Sequence, residues 1–181
     1  MHKKIKWITQ TAVMLALLVT LQALTKPMGQ WVTGSCVNAI LAVTVLIAGL
    51  WSGMTVALIS PVLAFLMGVA PQILVVPAIM IGNAVFVLVL HFVADSNPKN
   101  VAMQFVAWLS AAAVKFAALY ALVVYLLCDV LAQDLIASGN MAPKLVKALP
   151  LQFGVTQLFT ALIGGAVALM IAPVLRKALR K

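Results

Sequence analysis

Apolar residues fill this chain so densely that its turns stand out more clearly than its helices. From Ile5 to Leu24 they run almost unbroken, about 20 residues, enough for a helix to cross a hydrocarbon core of about 30 Å. "TKPMGQWVTGS" (25–35) interrupts the run with proline and glycine and reads as a loop. A second apolar segment, 36–50, is short for a full span and ends at "GLWSG" (49–53). That turn is tight enough to make segment three, 53–68, the antiparallel partner of segment two. Ser60-Pro61 within segment three predicts a kink, because proline removes a backbone hydrogen bond. "GVAPQILVVP" (68–77) breaks the pattern again, and segment four, 72–94, leads out of it. The sharpest boundary is "ADSNPKN" (94–100). There Asn97 can cap the next helix, and Pro98 suits a first turn whose N–H groups have no helical partner. Segment five covers 98–127, the polar stretch 128–150 has room for a short surface helix, and segment six covers 151–174 ahead of "RKALRK". The pattern predicts an all-α integral membrane protein, a six-transmembrane-helix bundle forming one domain over residues 1–181, with no soluble domain and no internal repeat.

Composition agrees. The chain is 65% hydrophobic and 8% charged, with a mean hydropathy of +1.18, where soluble domains carry about 25% charged residues. Its formal charge of +9 does not mark a nucleic-acid surface, because the basic residues gather beside apolar segments at the two chain ends, which is a topology signal. With six spans, Lys3, Lys4, Lys6, Lys99, Arg176, Lys177, Arg180 and Lys181 share one side, against Lys26, Lys144 and Lys147 on the other. Eight against three places both termini in the cytoplasm. The three longer, irregular connections (25–35, 68–77 and 128–150) then lie outside, as a lid over an outward-facing pocket. The start "MHKKIKWITQ" mimics a signal peptide, but the apolar run is long and no A-x-A site follows, so it is expected to stay as the first helix. The chain has no Glu and no Lys followed by Ser or Thr, which excludes an HExxH zinc helix and a phosphate-cradling P-loop. No metal or cofactor is expected in the chain itself, and any ATP hydrolysis belongs to another subunit.

The candidate chemistry lies in the few polar residues inside the spans. Lys115 sits in "SAAAVKFAALYALVVY" (110–125), where a mid-membrane lysine costs about 2.5–3.5 kcal/mol. Trp108, Ala111, Ala112, Ala118, Leu119 and Leu122 share its helical face, by the i±3, i±4 and i±7 rule. Three of those are alanines, which leaves room for a ligand or a neighbouring helix. No acid lies within any span, so a ligand, water or backbone carbonyls must answer the ammonium. Asn83 and Gln157 fall in the outer half, and Asn38 and Gln152 near outer helix ends. One reading makes these a pocket in which Lys115 is counter-charge for an anionic group and the amides fix its orientation. The other makes the amides interhelical glue, worth about 0.6 kcal/mol per contact. Trp31, in the first outer loop, either stacks on a ligand or anchors the chain at the interface. His91 reads as interfacial, and Cys36 and Cys128 both fall near the outer face, so a disulfide is geometrically conceivable.

Ala12 and Ala16 in "TAVMLAL" lie four apart, a small-xxx-small pair that lets helices approach closely in lipid; Gly49 with Gly53 and Ala161 with Gly165 repeat the spacing. Together, "TAVMLALLVTLQAL", "GSCVNAILAVTVLIAGLWSGMTVALISP", "VKFAALY" and "QLFTALIGGAVALMIAPVLRKALRK" resemble the substrate-binding S components of energy-coupling factor (ECF) vitamin transporters, along nearly the whole chain. The resemblance implies a non-enzymatic, six-helix binding subunit in a bacterial cell membrane that captures a micronutrient from outside. It further implies partnership with a transmembrane coupling protein, packed on Ala12 and Ala16, and with two cytoplasmic ATPases. Ligands in that family sit under the outer loops among helices four to six. No signature for riboflavin, thiamine, biotin or folate is present, so the ligand stays open. Two other classes stand beside this one: a membrane scaffold or assembly protein with no small-molecule ligand, and an intramembrane enzyme that would need His91 beside Ser60 or Ser110.

Overall fold

In hydrocarbon every backbone N–H and C=O must be paired within the protein, and a helix achieves this inside one segment. The computed structural model describes residues 2–96 and 100–179 and holds helices and no strand among them. In chain order these are α1 (His2–Thr25), α2 (Gln30–Ala48), α3 (Leu50–Leu66), α4 (Val76–Ser96) and α5 (Val101–Leu119). Helix α5 continues directly into a π-helical stretch, Tyr120–Val130, and α6 (Ala132–Ala137), α7 (Pro143–Phe153) and α8 (Val155–Leu179) follow. Single 3₁₀ turns, Lys26–Met28 and Ile73–Val75, lead into α2 and α4. Five helical stretches are long and apolar enough to cross a membrane; α3 is shorter, its 17 residues reaching about 25 Å.

Several boundaries differ from those read in the sequence. Helix α2 starts at Gln30 rather than 36, because Thr33 donates its hydroxyl to the Thr25 carbonyl and Ser35 to that of Trp31, which keeps the polar "TGS" helical. The first loop shrinks to one 3₁₀ turn and Gly29. Helix α3 runs on through the buried Pro61. The last segment is two helices, α7 and α8, divided at Gly154, and the 128–150 stretch holds α6 as well as most of α7. Asn100 caps α5, its side chain accepting from the Ala102 N–H at 2.9 Å. The expected cap Asn97 and its neighbour Pro98 lie outside the described residues. Cys36 and Cys128 are both free thiols.

Contacts fix the directions of the six long helices. Gly49, at φ 86°, makes a turn that a side chain would strain, and α3 folds back on α2 from it. Thr11 meets Ser52 and Lys26 meets Met67, so α1 and α3 run parallel. Gln104 reaches Ala94 and Lys115 reaches Asn83, an antiparallel α4–α5 pair. Asn38 meets Thr160 and Leu46 meets Arg176, so α2 and α8 run parallel. A Cβ at Gly164 would stand 2.7 Å from the Ala39 nitrogen; only glycine lets α8 lie so close to α2. Directions therefore alternate, and both ends of the described chain lie at one end of the bundle, with the longer connections at the other.

Leu18, Leu41, Val56, Phe86, Leu90 and Ala111 form part of a core toward the termini end, and Val75, Leu119, Val123, Leu149 and Phe153 part of a second cluster toward the loop end. Outside, Val13, Leu66, Phe92, Tyr125, Leu151, Met170 and Val174 are exposed. This inverted arrangement, apolar without and polar at chosen points within, suits a lipid solvent.

Candidate functional site

Lys115 lies where the two apolar clusters meet, with Ala111 and Ala112 on one side and Leu119 on the other, and it is 2% exposed. Its Nζ donates to Asn38 Oδ1 and to Asn83 Oδ1, both at 2.6 Å, and stands 5.5 Å from the centroid of the Phe86 ring. Helices α2, α4 and α5 thus meet at one ammonium. The network extends into α8: Asn38 Nδ2 donates to Thr160 Oγ1 at 3.4 Å, and Thr160 in turn donates to the Gln157 carbonyl at 3.2 Å. Gln157 Nε2 donates to the Gln152 carbonyl at 3.1 Å. Hydrogen bonds to a charged group are the stronger kind, worth about 1.5–3 kcal/mol each. Two of them with a face-on aromatic ring offset much of the cost of placing the lysine in hydrocarbon.

A small cavity of about 70 Å³ adjoins the ammonium. Asn38, Asn83, Gln152 and Gln157 all line it beside Lys115. Gln22 and Ser60 line it too, and Gln22 Oε1 and Ser60 Oγ are buried without a hydrogen-bond partner among the described residues. Buried polar groups are rarely left so, and here an amide oxygen and a hydroxyl belong to residues lining a space with room for a few waters. The roof comes from Gln30 at the start of α2, from Val69, Ala70 and Pro71 between α3 and α4, and from Phe153 at the end of α7. These roof segments are cross-tied by Lys26 Nζ donating to the Met67 carbonyl, and by Gln72 Nε2 donating to the Asn140 carbonyl.

Trp31 is not brought into this cavity. It lies in the first turn of α2, 53% exposed, its ring 5.7 Å from that of Phe159. Side-chain amides answer the ammonium, partners that the sequence pattern does not single out for it. Asn38 had been placed near a helix end. Because α2 begins at Gln30, Asn38 sits about 12 Å down the helix, level with Asn83 at about 10 Å. Gln22, Ser60 and Thr160 carry a readable signal, since each is a polar residue inside an apolar run; Phe86 carries one only as the residue a turn beyond Asn83.

Elsewhere, His91 Nδ1 pairs with Asp95 Oδ2 at 3.4 Å, and the Ser110 hydroxyl donates to the carbonyls of Val106 and Ala107. Ala12 and Ala16 are exposed on α1. Among the described residues no cluster of metal-ligating side chains occurs.

The chain matches no family model, no curated protein and no solved structure. What the fold and site define is a class: an all-helical bundle with the apolar spans of a multi-pass membrane protein, built around one buried cation held by amides.

Proposed function

We propose that the chain is the substrate-binding subunit of an ECF-type importer for a vitamin or related micronutrient with an acidic group. In this reading α1–α5 and α8 all cross a bacterial cell membrane, the termini are cytoplasmic, and a coupling protein and two ATPases supply the energy. The observation that carries the proposal is the polar cluster itself. Lys115, Asn38, Asn83 and Gln157 come from four helices to one point beneath the longer connections, and buried ionisable groups in spans mark substrate paths by default. The cavity of about 70 Å³ is smaller than such a substrate. Capture requires the roof to part, and its two cross-ties are single hydrogen bonds, each worth about 1 kcal/mol. A carboxylate entering there would take over the ammonium, a donor on the substrate would satisfy Gln22 Oε1, and the Ser60 hydroxyl would donate to or accept from the same guest. The open face at Ala12 and Ala16 leaves α1 free to pack on a coupling protein.

Mass spectrometry of small molecules carried through purification of the native chain, together with identification of its membrane partners, tests the proposal. A bound micronutrient and an associated ATPase pair are expected; their joint absence would overturn it.

One observation favours a second reading. Lys115 is already satisfied by two amides beside a cavity too small for a vitamin, as suits a membrane scaffold or assembly protein whose polar knot only fixes helix register. Thermal unfolding separates the two. A binder gains RT ln(1 + [L]/Kd), about 2.7 kcal/mol at a hundredfold excess over Kd, whereas a scaffold gains nothing from any vitamin tested.

A further inference from the structure

Far from the lysine, the seam between α5 and α8 opens into a groove of about 800 Å³ at the termini end of the bundle. Its sides are Val101 and Phe105 on α5 and Leu169, Met170 and Pro173 on α8, and it extends from Ala166 to Arg176. Ten residues of helix span about 15 Å, which is half of a hydrocarbon core of about 30 Å. The groove is therefore one leaflet deep.

Its polar groups divide by position. At the deep end Trp108 donates its indole N–H to the Leu162 carbonyl at 3.0 Å, and on the wall Gln104 donates its amide to the Ala94 carbonyl at 3.1 Å. Both are satisfied by the protein. At the mouth stand Arg176 and Lys177. Arg176 donates from Nε and Nη2 to the Leu46 carbonyl at 3.3 and 2.9 Å, which fixes the guanidinium at the groove's edge with further N–H groups to spare. Among the described residues the ion pair found is His91 with Asp95, and no carboxylate engages either mouth cation.

An apolar channel one leaflet long, open to lipid and cationic only at its headgroup end, fits one class of occupant. We propose that this groove binds an anionic phospholipid, with an acyl chain along α5 and α8 and its phosphate at Arg176 and Lys177. The proposal is independent of any micronutrient site.

The test uses the full chain in detergent, offered phosphatidylglycerol or phosphatidylcholine with identical acyl chains, with native mass spectrometry reading retained lipid. One phosphatidylglycerol should be held, and Lys177→Ala should weaken it about fivefold, since each basic residue near the headgroups contributes about 1 kcal/mol. Ala166→Trp, which fills the deep end, should abolish retention. As a check that does not depend on that variant folding, Trp7, Trp31 and Trp51 can be replaced by Phe and phosphatidylglycerol with brominated acyl chains added; Trp108 fluorescence should be quenched. Equal retention of the two lipids, or an unquenched Trp108, would overturn the proposal. So would glycerol phosphate displacing the lipid as well as free phosphatidylglycerol does, since the mouth would then hold a soluble anion without a chain. A partner helix cross-linked along the groove in place of lipid counts equally against it.

Discussion

Lys115 sits between two asparagines whose carbonyl oxygens each accept one of its hydrogens at 2.6 Å, so its neighbours depend on it as much as it on them. Asn83→Leu removes one acceptor and leaves the charge underserved; it should lower stability by about 2 kcal/mol, read from denaturant unfolding in mild detergent. Lys115→Met removes the charge but leaves the buried Asn38 Oδ1 and Asn83 Oδ1 both without this donor, so it should cost more than Asn83→Leu, about 2–4 kcal/mol. A smaller loss for Lys115→Met than for Asn83→Leu would show that the two amides find other donors once the ammonium is gone. Under the proposed role in import, Lys115→Ala should also weaken uptake of an acidic substrate at least about tenfold, or about 1.4 kcal/mol, measured by radiolabelled uptake. Lys115, Asn83 and Gln157 were legible in the sequence because a polar residue inside an apolar run has nowhere to hide. The bond to Asn38 was not legible, because it depends on a helix start six residues earlier than the glycine and hydroxyl residues of 33–35 implied.

Among the elements, the glycine turn between α2 and α3 was placed well, whereas the division at Gly154 and the start of α2 among hydroxyl residues were not. The α2–α3 turn at Gly49 falls where the tight "GLWSG" turn was expected, whereas Thr33 and Ser35 look like loop residues and are helical because their hydroxyls bond to carbonyls behind them. The N-terminus of α5 is similar: Asn100 caps it, and nothing in the sequence ranks that asparagine above Asn97. Asn100→Ala should cost about 1 kcal/mol, seen as faster amide exchange in the first turn of α5 and little change elsewhere. Where α8 lies on α2, Gly164→Ala forces a methyl against the backbone at Ala39, and a loss of about 1–3 kcal/mol is expected; an unchanged melting temperature would show that the two helices can part without cost. The π-helical stretch Tyr120–Val130 left no trace in the residue pattern, which reads there as ordinary apolar helix.

Across the whole molecule, class followed from composition alone, since no soluble exterior could be made from a chain 65% hydrophobic with so few charges. The route by which distant segments meet did not follow. Asn38 and Thr160 are 122 positions apart, and Leu46 and Arg176 are 130 apart, and no local pattern encodes such pairings. They also impose a timetable on synthesis. Both acceptors of Lys115, on α2 and α4, precede it in the chain, so each is synthesised before the charge it receives. Helix α8 arrives last, and until it does, Gly34 and Ala39 on α2 face lipid where a helix will later lie. A nascent chain stalled before α8 would hold both acceptors of its lysine, while its second helix waited for a neighbour not yet translated.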